Sequence, residues 1–588
     1  MSRRSLWSAV EAMRPQDAAF FHQQFSRRSL LAGAGALSAA TMLPGTSVAR
    51  QDGDAPEAAP PEEQVLRILG DNTLAKVMDI YESVYEEAPF SDLFSLPLVR
   101  LNREFELIPG GATEWTSNEE GTLWTFTLQQ GIDWSDGNPV TATDYVRTFQ
   151  YAADPEHAWD FAWYWSDNIV NFTEAVAGEV KPDEIGVRQG ASEYELIIET
   201  VEAAPYLPAK LIYSPPLSAA ALDEYGPYYN SNPETCVTSG PFKLEEWRPD
   251  DRIILTRNEA YTGDLEVPLQ RLIAKLASPS TAFTLYESDE VDFIEGIAPA
   301  EIQIAESDPE MSEQIYQGVG PFRINYFAFD VSVAPWDDLR VRQAFSHVLD
   351  RDALQQQVWG RQAKACASYL APGFPASNTE ELASIQGFDP EKAKQLLADA
   401  GYPDGEGFPS LVLKTVGGRG AVYDSTSEAY GAMLSEHLGI KVEIQSMDSQ
   451  AYYAAMNAKP TEIDFGFISY GMDYFDASNM LGVWVTGGRH SWSNAEYDEL
   501  VEKASAFTGD PEERTAMFQD AERILVEDVP GVFAYVETPI QLAKPYVVGP
   551  ALEPDENGIA AIHWPGFKLM STVLEELYIA ADAPTGRE

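Results

Sequence analysis

The stretch Gly110–Tyr145 reads GGATEWTSNEEGTLWTFTLQQGIDWSDGNPVTATDY. From Leu123 to Leu128, bulky apolar residues (Leu123, Trp124, Phe126, Leu128) alternate with Thr125 and Thr127. That is the period of a half-buried strand. Asn118-Glu119-Glu120-Gly121 forms the hairpin turn before it, and Ser135-Asp136-Gly137-Asn138-Pro139 a second tight turn after it, with a glycine free to take positive φ. Thr141 or Thr143 then caps a helix beginning near Asp144, where an acid suits the positive end of the helix dipole. This strand, turn and capped helix, with strands and helices alternating irregularly along the rest of the chain, predict an α/β protein.

Working outward, Val65–Leu69 reads as a first strand, and Ile185–Val187 with Tyr194–Ile198 as a hairpin. Ser214-Pro215-Pro216 breaks any regular element. Phe242–Trp247 and Ile253–Arg257 are strands joined by the turn Arg248–Asp251. Helices are predicted at Leu339–Trp359 and Pro390–Ala400, the latter capped by Asp389 and stopped by Gly401. Others are predicted at Glu428–Leu438, Ala495–Ala506 and Pro511–Val526. No internal repeat is present. Roughly 525 residues after the first 60 are too many for one core, so two or three domains are expected.

The amino terminus addresses the compartment. Ser26-Arg27-Arg28-Ser29-Leu30-Leu31 is a twin-arginine pattern, followed by a weakly apolar run to Leu43 and the small-residue cleavage site Ser47-Val48-Ala49. The run is too short to span a bilayer. Residues 1–49 are therefore read as a twin-arginine signal peptide, placing the protein in the periplasm or outside the cell. No Cys lies near residue 49, so no lipid anchor is expected. Residues 50–61, rich in Pro, Ala and acid, are expected to be a disordered linker.

The chain carries 93 Asp+Glu against 39 Lys+Arg, a net −54. Residues 1–49 hold five Arg and two acids, so the remainder carries −57. With 45% hydrophobic residues, 13 Trp, 27 Tyr and 27 Phe, this is a folded protein with an acidic surface. Such a field disfavours nucleic acid as a partner. Only 14 of the basic residues are Lys; excess acid with scarce Lys suggests a halophilic protein, soluble where salt screens charge within about 3 Å. The two cysteines, Cys236 and Cys366, have no spacing that predicts or excludes a disulfide.

Several segments carry a resemblance. "A-x-x-W-x-x-x-x-x-G-x-x-W-T-F-x-L-x-x-G-I-x-W-x-D-G-x-P-V-T-A-x-D" across residues 112–144 closely resembles the signature of the peptide/nickel-type solute-binding proteins of ABC transporters, with Gln129 where that family has Arg or Lys. Thr238–Leu244 with Trp247 and Arg257–Tyr261, then Leu285–Asp292, Asp337–Ala344 with Leu349–Arg351, Phe388–Leu397 with Ala400–Tyr402, Ser491–Asp498 and Asp528–Pro530 match further family blocks in order. The resemblance implies a two-lobed clam with a small additional domain. One lobe would comprise residues 62–99, 235–318 and 534–588, the small domain 100–234, and the second lobe 319–533. It implies a monomer that captures oligopeptides or dipeptides between lobes and hands them to membrane permease subunits.

Ile468–Met480 (ISYGMDYFDASNM) resembles the family's "W-x-A-D-Y-x-D-P-x-N" loop, whose first Asp receives a peptide's α-amino group. Asp473 stands there, flanked by Tyr470 and Tyr474; Gly471-Met472 and Ala477 depart from the pattern. A carboxylate between two Tyr neutralises and orients an ammonium in a dry cleft. Nearby Arg489 suits a ligand carboxylate or a surface ion pair, and Trp492 is grouped with it as a substrate-binding candidate. Trp163, Tyr164 and Trp165 can line the cleft, with at least two of them expected in the core. Alternation sets Phe327 and Phe329 on one strand face and Tyr326 on the other.

Enzyme readings find no purchase. None of the six His forms His-Glu-x-x-His, there is no Gly-x-Ser-x-Gly, and Gly417-Gly418-Arg419-Gly420 lacks the Lys-Ser/Thr of a phosphate loop and reads as a plain turn. No metal site or cofactor is expected. The alternatives are an oligosaccharide or metal-chelate ligand in the same transport role and, in a different class, a secreted glycoside hydrolase.

Overall fold

The computed structural model describes residues 55–72, 75–166, 168–318, 322–553 and 574–587. The twin-arginine segment and its cleavage site lie outside them. Two large mixed sheets and one small antiparallel sheet organise the chain. In the first, Val65–Asp71 is central, running parallel to Arg271–Ala277 and Phe293–Glu295. Arg252–Arg257 and Phe242–Arg248 extend one side, Ile540–Ala543 and Ile315–Gln317 the other. In the second sheet, Ile324–Phe329 and Phe465–Tyr470 are the inner antiparallel pair. Gly531–Glu537 and Ala363–Ala365 lie on one side, Leu411–Val416 and Val442–Met447 on the other.

The third sheet contains the stretch quoted at the outset. Leu123–Leu128 pairs with Ala112–Ser117 and with Glu195–Glu199, which pairs in turn with Val187–Gln189. Trp124, Phe126 and Leu128 are buried, as the alternation requires. The helix Ala142–Ala152 begins where the turn chemistry placed it: the Thr141 hydroxyl accepts from Thr143 N, and Asp144 Oδ2 accepts from Thr141 N at 2.8 Å. Asp144 Oδ1 also accepts from Ala219 N at 3.0 Å, tying the helix start to the next element. The buried apolar side chains of this small sheet and of the six-stranded sheet form one continuous cluster, while the seven-stranded sheet has a core of its own.

The structure corrects three details. Leu339–Trp359 is not one helix: it ends at His347, and a new turn starts at Arg351 because the Asp350 carboxylate accepts the N–H of Ala353. Residues 55–61 of the expected linker are ordered. Ala59 is buried and donates its N–H to Ile579 O, and the Gln64 amide bonds to both carbonyls. The expected division at 533/534 falls inside Gly531–Glu537, which pairs along its length within the six-stranded sheet; the chain crosses between sheets at residues 538–539. Cys236 and Cys366 are both free. No helix among the described residues is long and apolar enough to cross a membrane.

Candidate functional site

The strand Phe465–Tyr470 lies inside the six-stranded sheet and is buried along most of its length. Its carboxyl end delivers the loop 471–476 into the short helix Ala477–Leu481. Asp476 fixes the far end of that loop: it accepts from Ser478 N at 3.0 Å and takes both Nη atoms of Arg514 at 2.7 and 2.9 Å. At the near end Gly471 runs close to the Arg323 guanidinium, whose Nη2 would lie 3.0 Å from a Cβ at that position.

Asp473 sits between these anchors. Its N–H donates to Asn479 Oδ1 at 2.8 Å, and its Oδ2 accepts from the Tyr470 hydroxyl at 2.6 Å and from Asn479 Nδ2 at 3.1 Å. One carboxylate oxygen is thus held by two neutral donors. Among the described residues no cation forms an ion pair with Asp473. Burial, and then the charge of Asp473, push the Tyr470 phenol well above its usual range, so it remains a donor. The guanidinium of Arg489 lies over the face of the same Tyr470 ring, 4.8 Å from its centre, a cation–π contact. Among the described residues Arg489 has no carboxylate partner either. One ring therefore supports a carboxylate at its hydroxyl and a guanidinium on its face, both without a counter-ion.

Tyr474 is buried. Its ring stacks on Tyr206 at 5.6 Å and meets Tyr164 edge-on at 6.2 Å, so its role is to join this loop to the smaller sheet's side of the molecule. Trp492 is also buried: its indole N–H donates to Asp528, and its ring packs on Tyr497 at 4.9 Å. It supports the site's frame from within the core. Tyr164 and Trp165 are core residues, and Trp163 is exposed. On the strand Ile324–Phe329, Tyr326 packs with Tyr369 and Trp484 while Phe327 and Phe329 pack with Phe465, as the alternation predicts. Tyr326 bonds to His490 at 3.0 Å, and burial holds that imidazole neutral.

The sequence reading passed over a second group of cations. Arg419, in the glycine-rich turn, and Arg323 both donate to the hydroxyl of Ser469, the latter at 3.4 Å. Arg323 is 3.9 Å from Glu537, whereas Arg419 is exposed and pairs with no carboxylate among the described residues. Arg323, Arg419 and Arg489 lie far apart in the sequence, and the sheet gathers them at the end of one strand. Together they set one oriented carboxylate and a positive field beside it at the end of that strand. That arrangement is complementary to a ligand bearing both charges.

Comparison with known proteins agrees with this architecture. The chain is 28% identical over 479 residues to the probable deoxycholate-binding periplasmic protein YgiS of Escherichia coli, covering 78% of this chain and 85% of that one. It is 25% identical over 535 residues to the periplasmic oligopeptide-binding protein OppA of E. coli, covering 89% and 96%. Its fold matches the unliganded open form of the periplasmic murein tripeptide-binding protein MppA with a TM-score of 0.69 at 25% identity, covering 90% of this chain and 99% of that one. The family model described as bacterial extracellular solute-binding proteins, family 5, matches residues 106–492, and the chain belongs to that family.

Proposed function

We propose that this protein is the extracytoplasmic substrate-binding component of an ABC importer, and that it captures short peptides in the cleft bordered by Asp473. The carrying observation is the Asp473 carboxylate, oriented by Tyr470 and Asn479 and without an ion-pair partner among the described residues. A peptide's α-ammonium would complete it, and Arg489 or the Arg323–Arg419 pair would take negative charge farther along the ligand. The oligopeptide and murein-peptide ligands named for relatives support this reading. The lobes correspond to the two large sheets, with the small antiparallel sheet as the additional domain. Ligand would hold the lobes closed through contacts unavailable in an open state. Export by the twin-arginine route and delivery to membrane permease subunits by a monomer complete the proposal. The acidic surface fits a saline exterior.

Calorimetry of the purified protein with a defined tripeptide set tests it. The expected result is binding that Asp473→Asn and amino-terminal acetylation each weaken. Binding of cello-oligosaccharides or of deoxycholate, neither of which carries an ammonium, with no response to peptides, would replace the peptide reading and leave the transport role standing.

A further inference from the structure

The two large sheets are joined along one edge of each. In the seven-stranded sheet Ile315–Gln317 and Ile540–Ala543 lie toward one edge, and Phe242–Arg248 forms the other. In the six-stranded sheet Ala363–Ala365 and Gly531–Glu537 lie toward one edge, and Val442–Met447 forms the other. The chain crosses between the sheets after Gln317 and again at residues 538–539. Gly318 N donates to Pro539 O at 3.1 Å, so the two crossings run side by side. A ribbon of two adjacent segments bends, but it also twists, so by itself it does not fix the direction of a swing.

A third connection stands beside that ribbon, and it is not covalent. Gln355–Trp359 forms one π-helical turn, and Gly360 follows at φ 53°. The Gln355 amide donates to Gly360 O at 2.7 Å and to Ala363 O at 2.9 Å, and accepts from Ala365 N at 3.1 Å. These bonds hold the turn 360–362 against its own sheet. From there Arg361 and Gln362 reach the other one. Gln362 Nε2 donates to Ile297 O at 2.6 Å, and Gln317 Nε2 donates to Arg361 O at 2.9 Å. Arg361 also pairs at 3.1 Å with Glu306, on the helix Pro299–Ser307. Thr538, in the second crossing, donates its N–H to Gln362 O at 2.9 Å and its hydroxyl to Arg361 O at 2.7 Å. The turn is thus bonded to one crossing and, beyond it, to the seven-stranded body. Both partners of the Arg361–Glu306 pair are nearly half in water, so that pair contributes little, least of all in salt. The bonds from neutral amides to backbone carbonyls persist where salt screens the surface.

We infer that the Arg361–Gln362 turn is a strap that fixes the axis on which the two large sheets swing. Two adjacent crossings leave twist free; a third attachment set to one side of them leaves opening and closing. Arg361 and Gln362 are positioning residues in this scheme, acting through the pivot to bring the Asp473 loop into the same register at every closure. The inference rests on the two-lobed reading and on no particular ligand.

Pulsed electron–electron resonance tests it, with spin labels on Lys243→Cys and Glu443→Cys in the full chain carrying Cys236→Ser and Cys366→Ser, in molar KCl. Both labelled positions are exposed and stand on the strands farthest from the crossings, where a loosened pivot is magnified. The key variant combines Gln317→Ala with Gln362→Glu, which keeps the shape of residue 362 but sets an acceptor against Ile297 O. Without ligand, its distance distribution should be broader than the parent's by about half or more. Gln317→Ala alone should give an intermediate width, and Glu306→Ala should leave the width unchanged. Melting temperatures show that each variant is folded. A width in the double variant equal to the parent's overturns the inference. So does an equal broadening from Glu306→Ala, which would mark a general loosening of this surface. Either failure leaves the peptide reading untouched, and peptides that fail to bind leave the strap standing.

Discussion

The Tyr470 hydroxyl donates to Asp473 Oδ2 at 2.6 Å, and the same ring carries the Arg489 guanidinium on its face. Strand geometry makes this possible. Tyr470 is the last residue of a central strand, pinned across the sheet by pairing with Ile324. The phenol is therefore presented rigidly, and the carboxylate three residues on is oriented before any ligand arrives. Preorganisation of this kind reduces the ordering cost of binding.

Asp473→Asn should weaken binding of tripeptides by about one to three orders of magnitude with the fold intact. A charge-assisted hydrogen bond contributes roughly 1.5–3 kcal/mol, and a buried ammonium left unpaired costs more. Acetylating the peptide's amino terminus should do similar damage, and the two changes should combine less than additively because they break one interaction. Full additivity by calorimetry would show that Asp473 and the amine do not meet.

Tyr470→Phe separates orientation from charge. It removes one of the two donors to Asp473 Oδ2 and keeps the ring under Arg489. Affinity for tripeptides should fall by roughly three- to thirtyfold, less than for Asp473→Asn, consistent with a loss of about 1–2 kcal/mol. A loss equal to that of Asp473→Asn would mean that the phenol itself contacts the ligand.

The strand Leu123–Leu128, the Thr141–Asp144 cap and the Asp473 loop were legible because each is decided by residues close in sequence. The rest depends on sheet order. Arg419 follows the strand Leu411–Val416, and only the pairing of that strand beside Phe465–Tyr470 brings its guanidinium to Ser469. Ala59 read as linker because its partner, Ile579, is more than 500 residues away. Trp492 read as a site residue because it lies near Arg489 in sequence, yet the bond from its indole to Asp528 holds it in the core. The break at Val348–Asp350 is a local event, an Asp acting as a cap inside a helical pattern, and periodicity alone passed over it.

Asp292 ties the strand Val65–Asp71 to the carboxyl-terminal segment. It is fully buried, bonds to Arg67 at 2.6 Å and to Arg587 at 3.0 Å, and accepts from Tyr546 at 2.9 Å. Asp292→Ala strands two largely buried guanidinium groups and should cost about 3–5 kcal/mol. Chemical denaturation would register this as a lower midpoint; a change under about 1 kcal/mol would show that the network adds little.

Glu522 sets a pH dependence through its burial. It is fully buried, with Leu370 N donating at 2.7 Å and Asn378 N at 3.2 Å, and burial pushes its carboxyl up to about 8. A group whose folded pKa exceeds its unfolded value near 4.5 favours folding while it is protonated. Its contribution is complete below about pH 4.5 and is lost as pH rises toward 8. Glu522→Gln abolishes that titration, so the melting temperature of the variant relative to the parent should climb between pH 5 and 8. A constant offset across that range would mean that the carboxyl ionises normally.

Salt should govern stability overall. A net charge of −54 on 588 residues imposes self-repulsion that counter-ions relieve, while pairs in contact such as Arg514–Asp476 act locally. Raising KCl from about 0.1 M to molar concentration shortens the screening length from about 10 Å to about 3 Å, which removes the long-range repulsion while sparing pairs in contact. The melting temperature should therefore rise across that range. The buried Asp292 network, screened far less, should contribute equally at both ends, so the penalty for Asp292→Ala should stay constant while the parent's stability climbs. A melting temperature that is flat or falls with KCl would show that the surface acids are compensated within the fold, and the halophilic reading would fail with it.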